Sequence, residues 1–300
     1  MSTPLLSVED LETSFQIDGG LIRAVSKVSF QVARGEILGL VGESGSGKSV
    51  TGFSILGLVR PPGRITGGRI LFDGQDLITL SEPEKRKIRG VRIAMVFQDH
   101  MMTLNPVLRV RTQLIDAIQA HETVSTSVAR QRAIEALDAV GIPSPEKRLD
   151  NYPHEFSGGM RQRVAIAIAI LHKPDLIIAD EPTTALDVTI QAQIISKVQS
   201  LVRAHNMALI WISHDLSVVS RLADNVAVMY AGKLVEKGNV HDVVNTPCHP
   251  YTYGLINSLP GQKPPQSKLD QIPGSTPLLT NLPTGCAFQG RCYRASERCA

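Results

Sequence analysis

Gly42-Glu43-Ser44-Gly45-Ser46-Gly47-Lys48-Ser49 decides the fold of this chain. An apolar run, Glu36-Ile-Leu-Gly-Leu-Val41, leads into it, and a segment with helical character from Lys48 to about Leu58 leads out, closed by Pro61-Pro62-Gly63. Strand, glycine loop and helix follow in that order, and the loop matches G-x-x-x-x-G-K-[ST] at every fixed position. Glycines at these places let main-chain N–H groups turn inward around phosphate oxygens, and the helix start adds its positive end. Lys48 is placed to reach the β- and γ-phosphates of a nucleotide, Ser49 to ligate magnesium, and Val50 to close the contact set.

A second motif stands far downstream. Leu176-Ile-Ile-Ala-Asp180-Glu181 reads as a buried strand that delivers two carboxylates at its end. Asp180 there can hold magnesium through water, and Glu181 is suited to polarise a water that attacks a γ-phosphate. Phe15 precedes the phosphate loop at a spacing suited to stacking on a base, in a chain with only 4% aromatic residues.

Around these motifs the pattern alternates as a predominantly parallel α/β fold should. Residues 6–15 and 28–32 read as strands with Gly19-Gly20 as a turn, and Gly67–Leu77 as a hairpin turning at Asp73-Gly74. Residues 107–141 carry apolar positions at helical spacing (Leu114, Ile118, Ile134, Leu137, Val140), which predicts an inserted helical subdomain at about 100–172. Helices at 161–172, 190–205 and 216–222 then alternate with strands at 176–179, 208–212 and 226–230. From Thr246 onward, prolines at 247, 250, 260, 264, 265, 273, 277 and 283 predict an irregular tail.

Composition narrows the classes. The 300 residues carry 31 Lys and Arg against 28 Asp and Glu, a net charge of +3, with no basic block of the kind that binds nucleic acid. No apolar run has the length of a membrane helix, and the first residues lack a secretion signal, so a cytoplasmic chain whose membrane role runs through partners is expected. Cys248 is expected to be a structural thiol. Cys286, Cys292 and Cys299 cluster at the end, a pattern that in such a compartment argues for metal before disulfides.

Ser157-Gly158-Gly159-Met160-Arg161-Gln162, lying between the two phosphate-site motifs, resembles the ABC signature. Gln98 in Ala94-Met-Val-Phe-Gln98-Asp99 looks like the Q-loop glutamine, Leu186-Asp187 after Thr183-Thr184-Ala185 like the D-loop, and His214 in Ser213-His214-Asp215 like the switch histidine. The stretch Asp180–Gln193, with Gln98–Pro106 and His249-Pro-Tyr-Thr-Tyr-Gly254, is similar to ATP-binding subunits of bacterial dipeptide and oligopeptide importers. That resemblance spans essentially the whole chain. It departs at His100, where family members usually have proline.

The resemblance implies an ABC-type P-loop NTPase. Its parts would be a RecA-like core, an N-terminal antiparallel β-subdomain, the helical insertion, an ATP-binding domain at 1–245 and an irregular extension at 246–300. It implies ATP and Mg2+ as ligands, with Ser49, Gln98 and Asp180 toward the metal and Glu181, His214, Gln98 and Lys48 as catalytic groups. Ser157, Gly158, Gly159, Gln162 and Asp187 would face ATP held by a second, homologous subunit, as a heterodimer rather than a homodimer. Two permease subunits and, indirectly, an extracytoplasmic substrate-binding protein would complete the assembly at the inner face of the cell membrane, with no nucleic acid. Family tails hold a four-iron four-sulfur cluster, and Cys286, Cys292 and Cys299 match three of its four cysteines. By softness alone the same thiolates suit zinc equally. Import of nickel, glutathione or another small solute, or a soluble ABC ATPase acting on nucleic acid or ribosomes, are the alternative readings. A P-loop kinase or GTPase is disfavoured by the signature turn.

Overall fold

The computed structural model describes residues 3–98, 103–184, 186–258 and 271–300. The chain divides into two compact units, Met1–Leu80 with Trp211–Ala300, and Ser81–Ile210.

In the first unit, β1 (Leu6–Ile17) pairs antiparallel with β2 (Gly20–Val32) and with β4 (Gly63–Phe72), which in turn pairs with the short β5 (Gln75–Asp76). Leu6 lies opposite Val32 and Phe72, and Val8 opposite Phe30 and Ile70, so six buried side chains stack across three strands. Between Val8 and Leu11 the register shifts at Asp10, whose φ is +46°, and the Ser29 hydroxyl accepts its N–H at 2.8 Å. The bulge returns Leu11 to the buried side.

The same unit holds β3 (Ile37–Val41), all five residues buried, parallel to β9 (Asn225–Tyr230). Runs of this kind, apolar at every position, belong to strands covered on both faces. The Asp224 carboxylate accepts the Ile37 N–H at 2.8 Å and the Asp224 N–H returns to the Ile37 carbonyl at 2.8 Å, which fixes where β3 begins. An antiparallel strand, β10 (Lys233–Asn239), lies on the other side of β9 and makes the arrangement mixed rather than wholly parallel. Its charged, half-exposed sequence carries no alternation that would have announced it.

Helix α1 (Lys48–Ile55) follows the phosphate loop. In the second unit, α2 (Glu82–Ile88) begins at a capping box in which Ser81 N–H donates to Glu84 at 2.8 Å, a Ser-x-x-Glu signal legible in the sequence but not read there. Strand β6 (Ile93–Val96) runs parallel to β7 (Leu176–Asp180), and Arg92 bonds Asp175 at 2.8 Å just before the pairing starts. The predicted helical insertion is present as α3 (Val110–Gln119), α4 (Thr126–Ala139) and the one-turn α5 (Pro145–Arg148). It leads into α6 (Gly158–Ile170). Alanines 129, 133 and 136 on α4 and 165, 167 and 169 on α6 are buried, small enough for the helices to pack closely. Glu122 accepts two bonds from Arg132, at 2.6 and 3.0 Å, and makes a third contact at 2.8 Å with His172, whose side chain is 5% exposed.

Helix α7 (Val188–Ala204) leads to β8 (Ala208–Ser213), within which the chain passes from the second unit back to the first. There α8 (Leu216–Leu222) and α9 (Val240–Asn245) follow.

One expectation for the tail is corrected. Pro250–Asn257 forms a regular helix, α10, where proline density predicts irregular chain. Pro250 sits at its first turn, where no N–H is needed, and the His249 ring accepts the Tyr251 N–H at 3.1 Å as the cap. Beyond it the described tail has only two short 3-10 turns, Gln289–Arg291 and Glu297–Cys299. Among the described residues no helix is long and apolar enough to cross a membrane.

Candidate functional site

The phosphate loop is built by sterics. Gly42, Gly45 and Gly47 all have positive φ, and at Gly47 (φ +101°) a Cβ would lie 2.4 Å from the Ala24 carbonyl oxygen. No other residue fits that position. The Gly232 N–H donates to the Ser46 carbonyl at 3.0 Å, tying the loop to the β9–β10 turn. Ser46 is fully buried, whereas Ser44 and Gly45 at the tip are exposed. Lys48 is 5% exposed, and its ammonium donates to the carbonyls of Gly42 (2.7 Å) and Glu43 (2.9 Å) and to Ser46 Oγ (3.4 Å). The lysine is thus curled back over the concave side of its own loop. Ser49 and Val50, both half-buried, follow Lys48 in the first turn of α1.

Glu43 has partners that the sequence did not suggest. Its N–H donates to Tyr251 Oη at 2.8 Å, and its carboxylate receives both arms of Arg291, at 2.7 and 3.0 Å, and the Thr276 hydroxyl. Burial opposes ionisation of Glu43, but the hydrogen bonds from Arg291 and Thr276 outweigh it and hold the carboxyl below its ordinary range. Burial raises the Tyr230 and Tyr251 hydroxyls, so both stay protonated. With Phe288 they form an aromatic cluster, ring centroids 4.6 to 5.4 Å apart, beneath the arginine.

Phe15 is half-buried, paired with Ile22 and Gly63, and its ring lies over Gly63, where an added Cβ would meet Cε1 at 2.4 Å. His214 is exposed directly after β8. The next residue, Asp215, caps α8 by accepting the Ser217 N–H at 2.8 Å.

The second unit carries the acidic strand end and the signature turn. Asp180 ends β7 at 1% exposure, and Glu181 follows with φ +45°, a left-handed conformation that is strained for glutamate. Two donors reach its Oε2: Thr184 Oγ1 at 2.9 Å and Gln98 Nε2 at 3.2 Å. Gln98 and Glu181 are therefore brought together. Asp99, His100 and Ala185 lie outside the described residues.

Ser157 caps α6 by accepting the Met160 N–H at 3.3 Å, which leaves Gly158 and Gly159 as the first helical residues. A Cβ at Gly159 would stand 2.6 Å from Ile190 Cγ2, so this glycine also admits α7 against the signature helix. Gln162 differs in character from its neighbours. It is 1% exposed, and both its amide atoms lack a hydrogen-bond partner among the described residues. Asp187 caps α7 by accepting the Ile190 N–H at 2.9 Å, with Val188 beside it 81% exposed.

The expected metal centre in the tail is not assembled. Among the described residues no three His, Cys, Asp or Glu side chains converge as metal ligands. Cys286, Cys292 and Cys299 are free thiols. Cys292 Sγ accepts the Arg294 N–H at 3.3 Å, and Cys299 Sγ shares a 3.9 Å contact with Ser296 Oγ. The iron–sulfur expectation thus finds no support in the described residues, where these three thiols do not converge on one ion.

Comparison with known proteins places these features. The ABC transporter family profile matches residues 25–184, and the oligopeptide/dipeptide transporter C-terminal region matches residues 235–299. The chain is 51% identical over 288 residues to the oligopeptide transport ATP-binding protein OppD of Bacillus subtilis, covering 95% of this chain and 80% of that one. It is 48% identical over 295 residues to the dipeptide transport ATP-binding protein DppD of Escherichia coli, covering 98% and 90%. The ATP-binding cassette MJ0796, solved as a dimer in a post-hydrolysis state with ADP and Pi, superposes with a TM-score of 0.71 at 26% identity, over 78% of this chain and 98% of that one. The chain belongs to the ABC transporter ATPases, in the branch that carries the oligopeptide/dipeptide transporter C-terminal region.

Proposed function

We propose that this chain energises import of dipeptides or oligopeptides through a membrane ABC transporter. The observation that carries the reading is the near full-length similarity to peptide-transport ATP-binding proteins, which includes the C-terminal region at 235–299 as well as the ATPase motifs. The division of the chain into an ATP-binding domain at 1–245 and an extension at 246–300 belongs to the same proposal.

In it, the loop from Gly42 to Val50 wraps the phosphates with its N–H groups, and Lys48 leaves its loop carbonyls for the β- and γ-phosphate oxygens. Phe15 offers a ring face to the adenine. The hydroxyl of Ser49, the carboxylate of Asp180 and the amide oxygen of Gln98 are hard oxygen donors of the kind magnesium takes. A bound magnesium would neutralise phosphate charge. Glu181 orients and polarises the attacking water, held by Thr184 and Gln98, while His214 contacts the γ-phosphate. Ser157, Gly158, Gly159 and Asp187 act on the ATP of a second, homologous subunit, so binding closes a pair of cassettes and hydrolysis opens it. Gln162, buried in α6, belongs to the same proposed contact set. A heterodimer beneath two permeases, fed by an extracytoplasmic binding protein and sited at the inner face of the membrane, completes the assembly.

Co-expression with neighbouring genes, followed by affinity purification from detergent-solubilised membranes, tests this. Two permeases and a second ATPase should co-purify, and transport of labelled peptide into vesicles should require ATP. Recovery of ribosomes or nucleic acid with no membrane protein would overturn it.

A further inference from the structure

Glu43 is an odd residue to find in a loop that must hold a triphosphate. It places a carboxylate in the second position of the phosphate cradle, next to the one ammonium the cradle supplies. Lys48 already touches the Glu43 carbonyl at 2.9 Å, and the two charges are close enough for the lysine to depress the titration of the carboxyl. Left alone, that carboxylate would repel phosphate and compete for Lys48.

The C-terminal extension removes both problems. Arg291 engages the carboxylate through two parallel bonds, at 2.7 and 3.0 Å, the fork geometry that lysine cannot reproduce. The guanidinium is itself held, with Nε donating to the Pro273 carbonyl at 2.8 Å and Nη1 to Tyr230 Oη at 3.3 Å, and its side chain is only 9% exposed. Thr276 adds a bond to the same carboxylate, and Tyr251 fixes the Glu43 N–H. Thus Glu43 is gripped at its N–H and carboxylate by residues from the tail, and at its carbonyl by Lys48.

We propose that Arg291 is a positioning residue for nucleotide binding: it neutralises Glu43 and draws it aside, so that Lys48 and the loop amides remain available to the phosphates. The extension is on this view part of the ATP site and not only an appendage. The inference rests on the reading of the phosphate loop as the nucleotide site.

The test is equilibrium binding of Mg-ATP to the full chain, by calorimetry at fixed ionic strength, for wild type, Arg291→Met, Arg291→Lys, Glu43→Gln and the double variant Glu43→Gln/Arg291→Met. Arg291→Met should weaken binding about tenfold by leaving Glu43 unpaired, and Arg291→Lys should fall between it and wild type. The double variant should regain affinity to within about threefold of Glu43→Gln, since the harmful charge is gone. A merely structural role for Arg291 would leave the double variant as weak as Arg291→Met, and that result would overturn the proposal. So would wild-type affinity in Arg291→Met. Absence of binding by the wild-type chain would overturn the nucleotide reading and the brace together, a result distinct from failure of the variants alone.

Discussion

The phosphate loop and the acidic strand end are held in opposite ways. At the loop the backbone itself is determined: Gly47 sits where only glycine fits, and main-chain groups of Ser46, Glu43 and Gly42 are all engaged. At the strand end the backbone is strained at Glu181, and side chains do the holding, with Thr184 and Gln98 both donating to one carboxylate oxygen. A binding site made of backbone changes little as ligands come and go. A carboxylate held by side-chain donors loosens as those donors move, which suits the role proposed for Glu181 as a group that acts only in the closed state.

The sharpest way to break this contrast is Glu181→Gln. Turnover in the assembled transporter should fall about 10²–10⁴-fold, with ATP affinity retained, as measured by phosphate release beside equilibrium binding. Loss of binding would show that the strand end also builds the cradle. Next in size is Gly47→Ala, which forces a Cβ against the Ala24 carbonyl and should cost about 2–3 kcal/mol of stability together with ATP binding, read by thermal denaturation with and without nucleotide. Thr184→Val removes a donor to Glu181 and should lower kcat about threefold to tenfold at unchanged ATP affinity. An effect on affinity instead would blur the division between the two regions.

The smallest effect is one of pH. Because Glu43 titrates lower in the folded chain than its ordinary 4.5, its pairing contributes stability that is present above that value and fades as pH falls below it toward the native value. The difference in melting temperature between wild type and Arg291→Met should therefore hold near neutrality and shrink as pH falls below about 4.5. A gap that stays constant would mean the arginine acts through packing on Phe288 and Tyr230 rather than through charge.

Much of this was legible in the sequence because it depends on local rules. A glycine loop between an apolar strand and a helix, or a carboxylate pair at the end of Leu176–Asp180, is specified by neighbours in the chain. Leu216–Leu222 has the same limits in sequence and structure for that reason. Features that escaped depend on partners far away or on edge position. Strand β10 takes its form from pairing with β9, not from its own alternation. The helix at Pro250–Asn257 was hidden by reading proline as a breaker when it stands at a helix start. Nothing near Glu43 forecasts Arg291, and the cysteine spacing gave no hint that the three thiols would fail to converge.

The separation of 248 positions from Glu43 to Arg291 also sets an order of events during synthesis. At about 5–20 residues per second, the guanidinium leaves the ribosome about 12–50 s after the carboxylate it neutralises. Through that interval Glu43 stands without the guanidinium that pairs with it. On the proposed reading, affinity for ATP then rises about tenfold when the tail brings Arg291 to Glu43.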